Sequence, residues 1–85
     1  MKKFNREEIE SKVNGILVDK LGIDEGEIRP ESMLGQDLTA DSIDIVDITI
    51  ELERDFNISI PDDTMGRMYV STVKDVYDTV EGLCR

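Results

Sequence analysis

Residues 41–56 have the sequence DSIDIVDITIELERDF and predict the element around which the rest of the chain packs. Asp41 is a typical helix N-cap, and Asp44 follows three residues later, as in a capping box. The apolar residues then recur at spacings of three and four, which is the period of an amphipathic helix. One face forms a complete core stripe, made of Ile45, Ile48, Thr49, Leu52 and Phe56. The stretch therefore predicts a helix over residues 42–56.

The same helix carries a second apolar strip, nearly opposite the first, made of Ile43, Val46 and Ile50. Carboxylates border it: Asp44, Asp47, Glu51 and Asp55. The preceding loop could fold over the strip, its members could be scattered surface aliphatics, or the strip could be a docking face for partner proteins. Charge favours docking, because residues 35–63 contain nine acidic residues and one basic residue, a net charge of −8 out of −10.

Three further helices are predicted on either side of this one. Asn5 and Glu8 form a capping box before an apolar stripe that ends at Gly22, so the first helix begins at about Arg6. Pro61 opens a short helical turn over residues 62–68. Thr72 and Asp75 form a capping box before a last helix. The buried stripe of this helix is predicted to be Val73, Val76, Tyr77, Val80 and Leu83.

Residues 22–41 form a long loop with no sustained periodicity, and their apolar side chains must hold it across the helix ends. The predicted fold is therefore all-α, with three main helices, a short third helix and a long loop between the first and second helices. A length of 85 residues suits a single domain over residues 1–85.

Composition excludes several classes of function. The chain has no Trp and no His, and His is the usual general base and a frequent metal ligand. Its one Cys can form neither an internal disulfide nor a Cys cluster for zinc. We therefore expect neither a catalytic residue nor a metal site. A net charge of −10 opposes binding to nucleic acid or to an anionic membrane surface and favours basic partners. Neither a signal sequence nor an apolar run long enough for membrane insertion is seen, and we expect a cytoplasmic protein.

Ser42 is the candidate site residue because it follows the N-cap Asp41 at the start of the second helix. Free backbone amides and the helix dipole stabilise an anion attached at such a position. Asp41 and Ser42 could equally be an ordinary capping pair, and position alone leaves both interpretations open.

Two runs of the sequence resemble the acyl carrier protein family. Residues 38–44, LTADSID, are similar to the family's phosphopantetheine attachment motif, an Asp-Ser-Leu core usually preceded by Gly-Ala or Gly-Gly. Residues 51–62, ELERDFNISIPD, resemble its second signature, in which the second helix ends in Glu-Phe and leads into Ile-Pro. The resemblance extends from the first helix to Val80, while Thr39, Ile43 and Arg54 differ from the family's usual residues.

The resemblance implies a four-helix acyl-carrier-like bundle that works as a monomer and is not an enzyme. A holo-acyl-carrier-protein synthase, which is a phosphopantetheinyl transferase, would transfer 4′-phosphopantetheine from coenzyme A to Ser42, with Asp41 and Asp44 contacting the synthase. The arm's thiol would hold acyl groups as thioesters. Acyl-transferring and chain-elongating enzymes of fatty-acid biosynthesis would present basic docking patches to this helix, at Ile43, Asp44, Val46, Asp47, Ile50 and Glu51.

Alternatives remain at this point. The chain could be a dedicated carrier of a polyketide, lipid-modifying or amino-acid-loading pathway. Outside this class, it could be an unmodified acidic adaptor or a divalent-cation-binding protein, although the EF-hand pattern is absent. The core stripe of the second helix, with Leu34 and Val76, could line a cleft for an aliphatic chain or could be plain core.

Overall fold

The computed structural model describes residues 4–84, which contain four α-helices. Their bounds are Arg6–Leu21 (α1), Ser42–Phe56 (α2), Asp62–Arg67 (α3) and Val73–Leu83 (α4). Two short 3₁₀ turns, Glu25–Glu27 and Met68–Val70, complete the helical structure. Within residues 4–84 the one β-type pairing is an isolated bridge between Met33 and Thr72. The predicted all-α class, with three main helices and a short third, is confirmed.

All three main helices begin with the capping box that the sequence predicts. At α1, Asn5 Oδ1 accepts a hydrogen bond from the Glu8 amide at 2.8 Å, and Glu8 Oε1 accepts one from the Asn5 amide at 3.0 Å. The same exchange joins Thr72 to Asp75 at α4. These bonds satisfy amides that have no partner inside the helix, so each helix starts at a defined residue.

The core lies where the apolar stripes of α1, α2 and α4 meet. Its fully buried side chains include Ile9, Val13, Leu17, Ile48, Leu52, Val73 and Val80. Phe4 extends the core at one edge, with its ring 5.0 Å from that of Phe56 in an edge-to-face arrangement. The prediction for Leu83 is wrong. This side chain is 37% exposed, because α4 ends there and the following residue, Cys84, packs against the core instead.

The long loop is held against the start of α4 and the turn before it. The Leu34 amide donates to the Ser71 carbonyl at 3.1 Å, and the Gly35 amide donates to the Tyr69 carbonyl at 2.9 Å. The Tyr69 ring lies so close to Gly35 that a Cβ there would overlap it. Leu34 and Leu38 are buried, as the sequence requires of a loop that must pack.

Arg6 joins the start of α1 to α4. Its guanidinium lies 2.9 Å from a carboxylate oxygen of Asp78 and 2.7 Å from one of Glu81, and it also lies over the Tyr77 ring. Hydrogen bonds from Lys74 and Arg6 hold the pKa of Asp78 below its usual range. This cluster links the two helices at the surface, beside the apolar core.

Candidate functional site

Ser42 is the first residue of α2, and its side chain is exposed. Asp41 Oδ1 accepts a hydrogen bond from the Asp44 amide at 2.9 Å, and Asp44 Oδ2 accepts one from the Asp41 amide at 3.1 Å. Asp41 and Asp44 therefore form the capping box, and the Ser42 hydroxyl has no part in it. The capping role is therefore confirmed for Asp41 but not for Ser42, because the two aspartates supply both bonds.

Hydrogen bonds hold the backbone on both sides of Thr39, an exposed residue in the segment that leads to Ser42. Leu38 and Ala40 are buried, and their amides donate to the Met33 carbonyl at 3.0 Å and the Leu34 carbonyl at 2.9 Å. Thr39, between them, is exposed and has a φ of 59°. The loop therefore holds the approach to α2 in one shape and turns Thr39 outward.

An apolar cavity of about 300 Å³ opens beside Ser42, between α2 and the segment that contains α3. Its lining residues are Ser42, Ile45, Val46, Met65, Gly66 and Tyr69. This cavity is not the cleft that was predicted between the helices. Leu34 and Val76, which were expected to line that cleft, are buried in the core and do not border the cavity. Sequence reasoning missed Tyr69, which is 51% exposed and rests on Gly35. No local pattern marks this pair, because the contact joins the long loop to the turn after α3.

The second strip of α2 is open to solvent. The exposed fractions are 70% for Ile43, 43% for Val46 and 47% for Ile50. The alternative in which the long loop covers this strip is wrong, because the loop packs against the turn before α4. Ile43, Val46 and Ile50, called the α2 strip below, therefore form an exposed row of apolar side chains.

The carboxylates beside the α2 strip differ in how free they are. Asp47 is exposed, and Asp44 is half-buried and bonded within the capping box. Glu51 is also half-buried, with its Oε1 3.8 Å from Lys20 Nζ and 4.0 Å from Arg54. The fold therefore gives Glu51 two basic neighbours. The negative charge at this face therefore comes mainly from the aspartates.

Two further kinds of site are absent from residues 4–84. No group of three or more Asp, Glu or Cys side chains is arranged to hold a metal ion among these residues. None of the helices in the same range is both long enough and apolar enough to cross a membrane.

Comparison with known proteins places this geometry in a family. The family model described as "Phosphopantetheine attachment site" matches residues 11–80, which contain Ser42, α2 and the cavity lining. The acyl carrier protein of Rubrobacter xylanophilus is 42% identical over 77 residues, which are 91% of this chain and 93% of the relative. This chain belongs to the acyl carrier protein family. The acyl carrier protein of Thermotoga maritima is 40% identical over the same shares. That of Chlorobium phaeobacteroides is 40% identical over 86% of this chain and 91% of its own length.

Membership of the acyl carrier protein family defines the chemistry. The chain carries acyl groups on a covalently attached 4′-phosphopantetheine. Acyl carrier proteins are carriers and not catalysts, and they work with phosphopantetheinyl transferases and acyl-handling enzymes. The site fits this group, because an exposed hydroxyl at a helix N-terminus suits a phosphodiester and the adjacent apolar cavity suits an organic chain.

Proposed function

We propose that residues 1–85 form one acyl carrier unit, that Ser42 is the attachment point of its 4′-phosphopantetheine, and that it works as a monomer in the cytoplasm. The observation that carries the attachment is the exposed Ser42 hydroxyl at the start of α2, which the capping box leaves unused. A net charge of −10 supports the monomer, because two such acidic surfaces repel each other.

Ser42 acts as an acceptor and not as a self-activated nucleophile. The chain has no His, so we assign the base that removes the hydroxyl proton to the transferase. In that transfer Ser42 Oγ would form a bond to phosphorus, the pyrophosphate bond of coenzyme A would break, and adenosine bisphosphate would leave. The first amides of α2 and the positive end of its dipole then stabilise the phosphodiester anion.

The cavity beside Ser42 is proposed to shelter part of the cargo. When attached, the arm supplies a thiol that holds the acyl group as a thioester. Val46, Met65 and Tyr69 offer an apolar surface within reach of the site of attachment. A volume of about 300 Å³ is at the lower end for ligand pockets, so it suits a short aliphatic segment.

The α2 strip and its acidic border are proposed to dock the partner enzymes. Asp41 and Asp44 lie beside Ser42 and are assigned to the holo-acyl-carrier-protein synthase. The α2 strip, Asp47 and Glu51 are assigned to basic patches on acyl-transferring and chain-elongating enzymes of fatty-acid biosynthesis or a related pathway. Apolar contact supplies buried area, and the carboxylates steer encounter. Glu51 contributes less charge because Lys20 and Arg54 already lie beside it.

The attachment is tested by intact mass spectrometry after incubation with coenzyme A, Mg²⁺ and a broad-specificity phosphopantetheinyl transferase. The wild-type chain is expected to gain one phosphopantetheine, and Ser42→Ala is expected to gain none. Ser59→Ala is the matched control, because Ser59 is also exposed but lies outside the helices, and it should be modified like the wild type. Modification of Ser42→Ala, or no mass gain in the wild type when a control carrier is modified, would refute the proposal.

A further inference from the structure

Thr39 has a backbone conformation that its residue type rarely adopts. Three residues between 4 and 84 have a left-handed backbone, namely Gly22, Thr39 and Asn57, with φ values of 65°, 59° and 56°. Gly and Asn tolerate this region, whereas a β-branched side chain crowds the backbone there. Thr39 is therefore the strained member of the three.

The fold imposes this strain from both sides. The Leu38 amide is bonded to the Met33 carbonyl and the Ala40 amide to the Leu34 carbonyl, and both flanking side chains are buried. The backbone at position 39 is therefore fixed by its neighbours. A glycine would take the same conformation without strain.

The Thr39 side chain makes little contribution to the stability of the fold. It is exposed, and its hydroxyl donates to the carbonyl of the adjacent residue, Leu38, at 2.6 Å. A hydroxyl that donates in this way keeps lone pairs that can accept a hydrogen bond from another molecule. Strained residues of this kind cluster at functional sites, and this one lies three residues before Ser42.

We infer that Thr39 is a recognition residue for the phosphopantetheinyl transferase, and that its hydroxyl accepts a hydrogen bond from a donor on that enzyme. The inference rests on the proposed role of Ser42. The transferase must reach the Ser42 hydroxyl, and Thr39, which is also exposed, lies only three residues before Ser42 in the chain. The bonded backbone on either side keeps the Thr39 side chain exposed at this point of the chain, where a transferase bound at Ser42 can contact it.

The test measures KM and kcat of the cognate transferase, from the genome that encodes this chain, with the full-length protein as substrate. Thr39→Ser and Thr39→Ala form a matched pair, because both keep a Cβ at the strained position and differ only in the hydroxyl. We expect Thr39→Ser to stay within about twofold of the wild-type KM. We expect Thr39→Ala to raise KM about fivefold with kcat unchanged, as for the loss of one hydrogen bond formed on binding.

Thr39→Gly separates recognition from folding. It should show the same rise in KM as Thr39→Ala, while its urea midpoint is no lower than that of the wild type, because the strain is relieved. A wild-type KM for both the Ala and the Gly variant overturns the inference and leaves the Ser42 proposal standing. A lower midpoint for Thr39→Gly also overturns it, because the side chain would then support the fold. If the wild type itself gains no phosphopantetheine, the Ser42 proposal fails and this inference with it.

Discussion

Ile48 and Ile50 lie two residues apart on α2, one in the core and one in the α2 strip. Truncating each of them in turn distinguishes the role of the core in stability from the role of the α2 strip in partner docking. Ile48 is fully buried, whereas Ile50 is 47% exposed. Truncation of a buried Ile to Ala costs about 2–5 kcal/mol through lost burial and the cavity that remains. A domain of this size is stabilised by about 4–13 kcal/mol in total, so Ile48→Ala removes a large part of its stability.

Ile50→Ala should instead affect partners more than folding. About half of the side chain is free to be buried against a partner, and burial of a whole Ile contributes about 1.5–3 kcal/mol. Docking should therefore lose about 0.7–1.5 kcal/mol, which is a fall in kcat/KM of roughly three- to twelvefold. The lost burial in the free protein is partly offset by the better helix propensity of Ala, so the unfolding free energy should fall by less than about 1 kcal/mol.

The assay pairs urea denaturation, followed by circular dichroism, with kcat/KM of an acyl-transferring enzyme that uses the acylated chain as substrate. Ile50→Ala should keep nearly the wild-type urea midpoint and have a lower kcat/KM. Ile48→Ala should have a clearly lower urea midpoint. The reasoning fails if Ile50→Ala lowers the midpoint as much as Ile48→Ala does. It also fails if Ile50→Ala leaves kcat/KM unchanged.

Three smaller perturbations follow from other contacts. Asp41→Ala removes the α2 cap and should cost about 1 kcal/mol, or about 4–8 °C in melting temperature, whereas Asp47→Ala, which removes an exposed carboxylate within the same helix, should cost less. Gly35→Ala must displace the Tyr69 ring, so it should lower the melting temperature in the wild type and do so less in a Tyr69→Ala background. Folding lowers the pKa of Asp78. The contribution of this carboxylate to the free energy of unfolding is therefore present above the unfolded pKa of about 3.9 and is lost as pH falls through the folded pKa. Asp78→Asn should therefore lose less stability than the wild type on acidification below about pH 4, as measured by thermal melts across pH; an equal loss would contradict this.

The sequence predicts those parts of the fold whose causes are local. Each capping box joins residues three positions apart, so the starts of α1, α2 and α4 could be predicted without any tertiary knowledge. The two faces of α2 follow from helical periodicity in the same way, and the exposure of Ile43 and Ile50 confirms the assignment of the second strip to the surface.

The parts that could not be predicted depend on neighbours distant in the chain. Glu51 is flanked by Lys20 because α1 packs beside α2, and no spacing rule relates these two positions. Tyr69 lines the cavity because Gly35 leaves room for its ring, which only the packed loop reveals. Leu83 fits the period of α4, but periodicity does not report where the core ends.

The attachment of the long loop to the start of α4 has a consequence for the order of folding. The bonds from Leu34 to Ser71 and from Gly35 to Tyr69 join segments that lie on opposite sides of α2 in the chain. Such contacts close a large loop, and closing it costs chain entropy. We therefore expect these contacts to form late in folding, whereas the capped helices can form early. Ala40 bonds back to Leu34, so the backbone that leads into Ser42 depends on this closure. We therefore expect the surroundings of Ser42 to take their final shape late in folding, after α2 itself has formed.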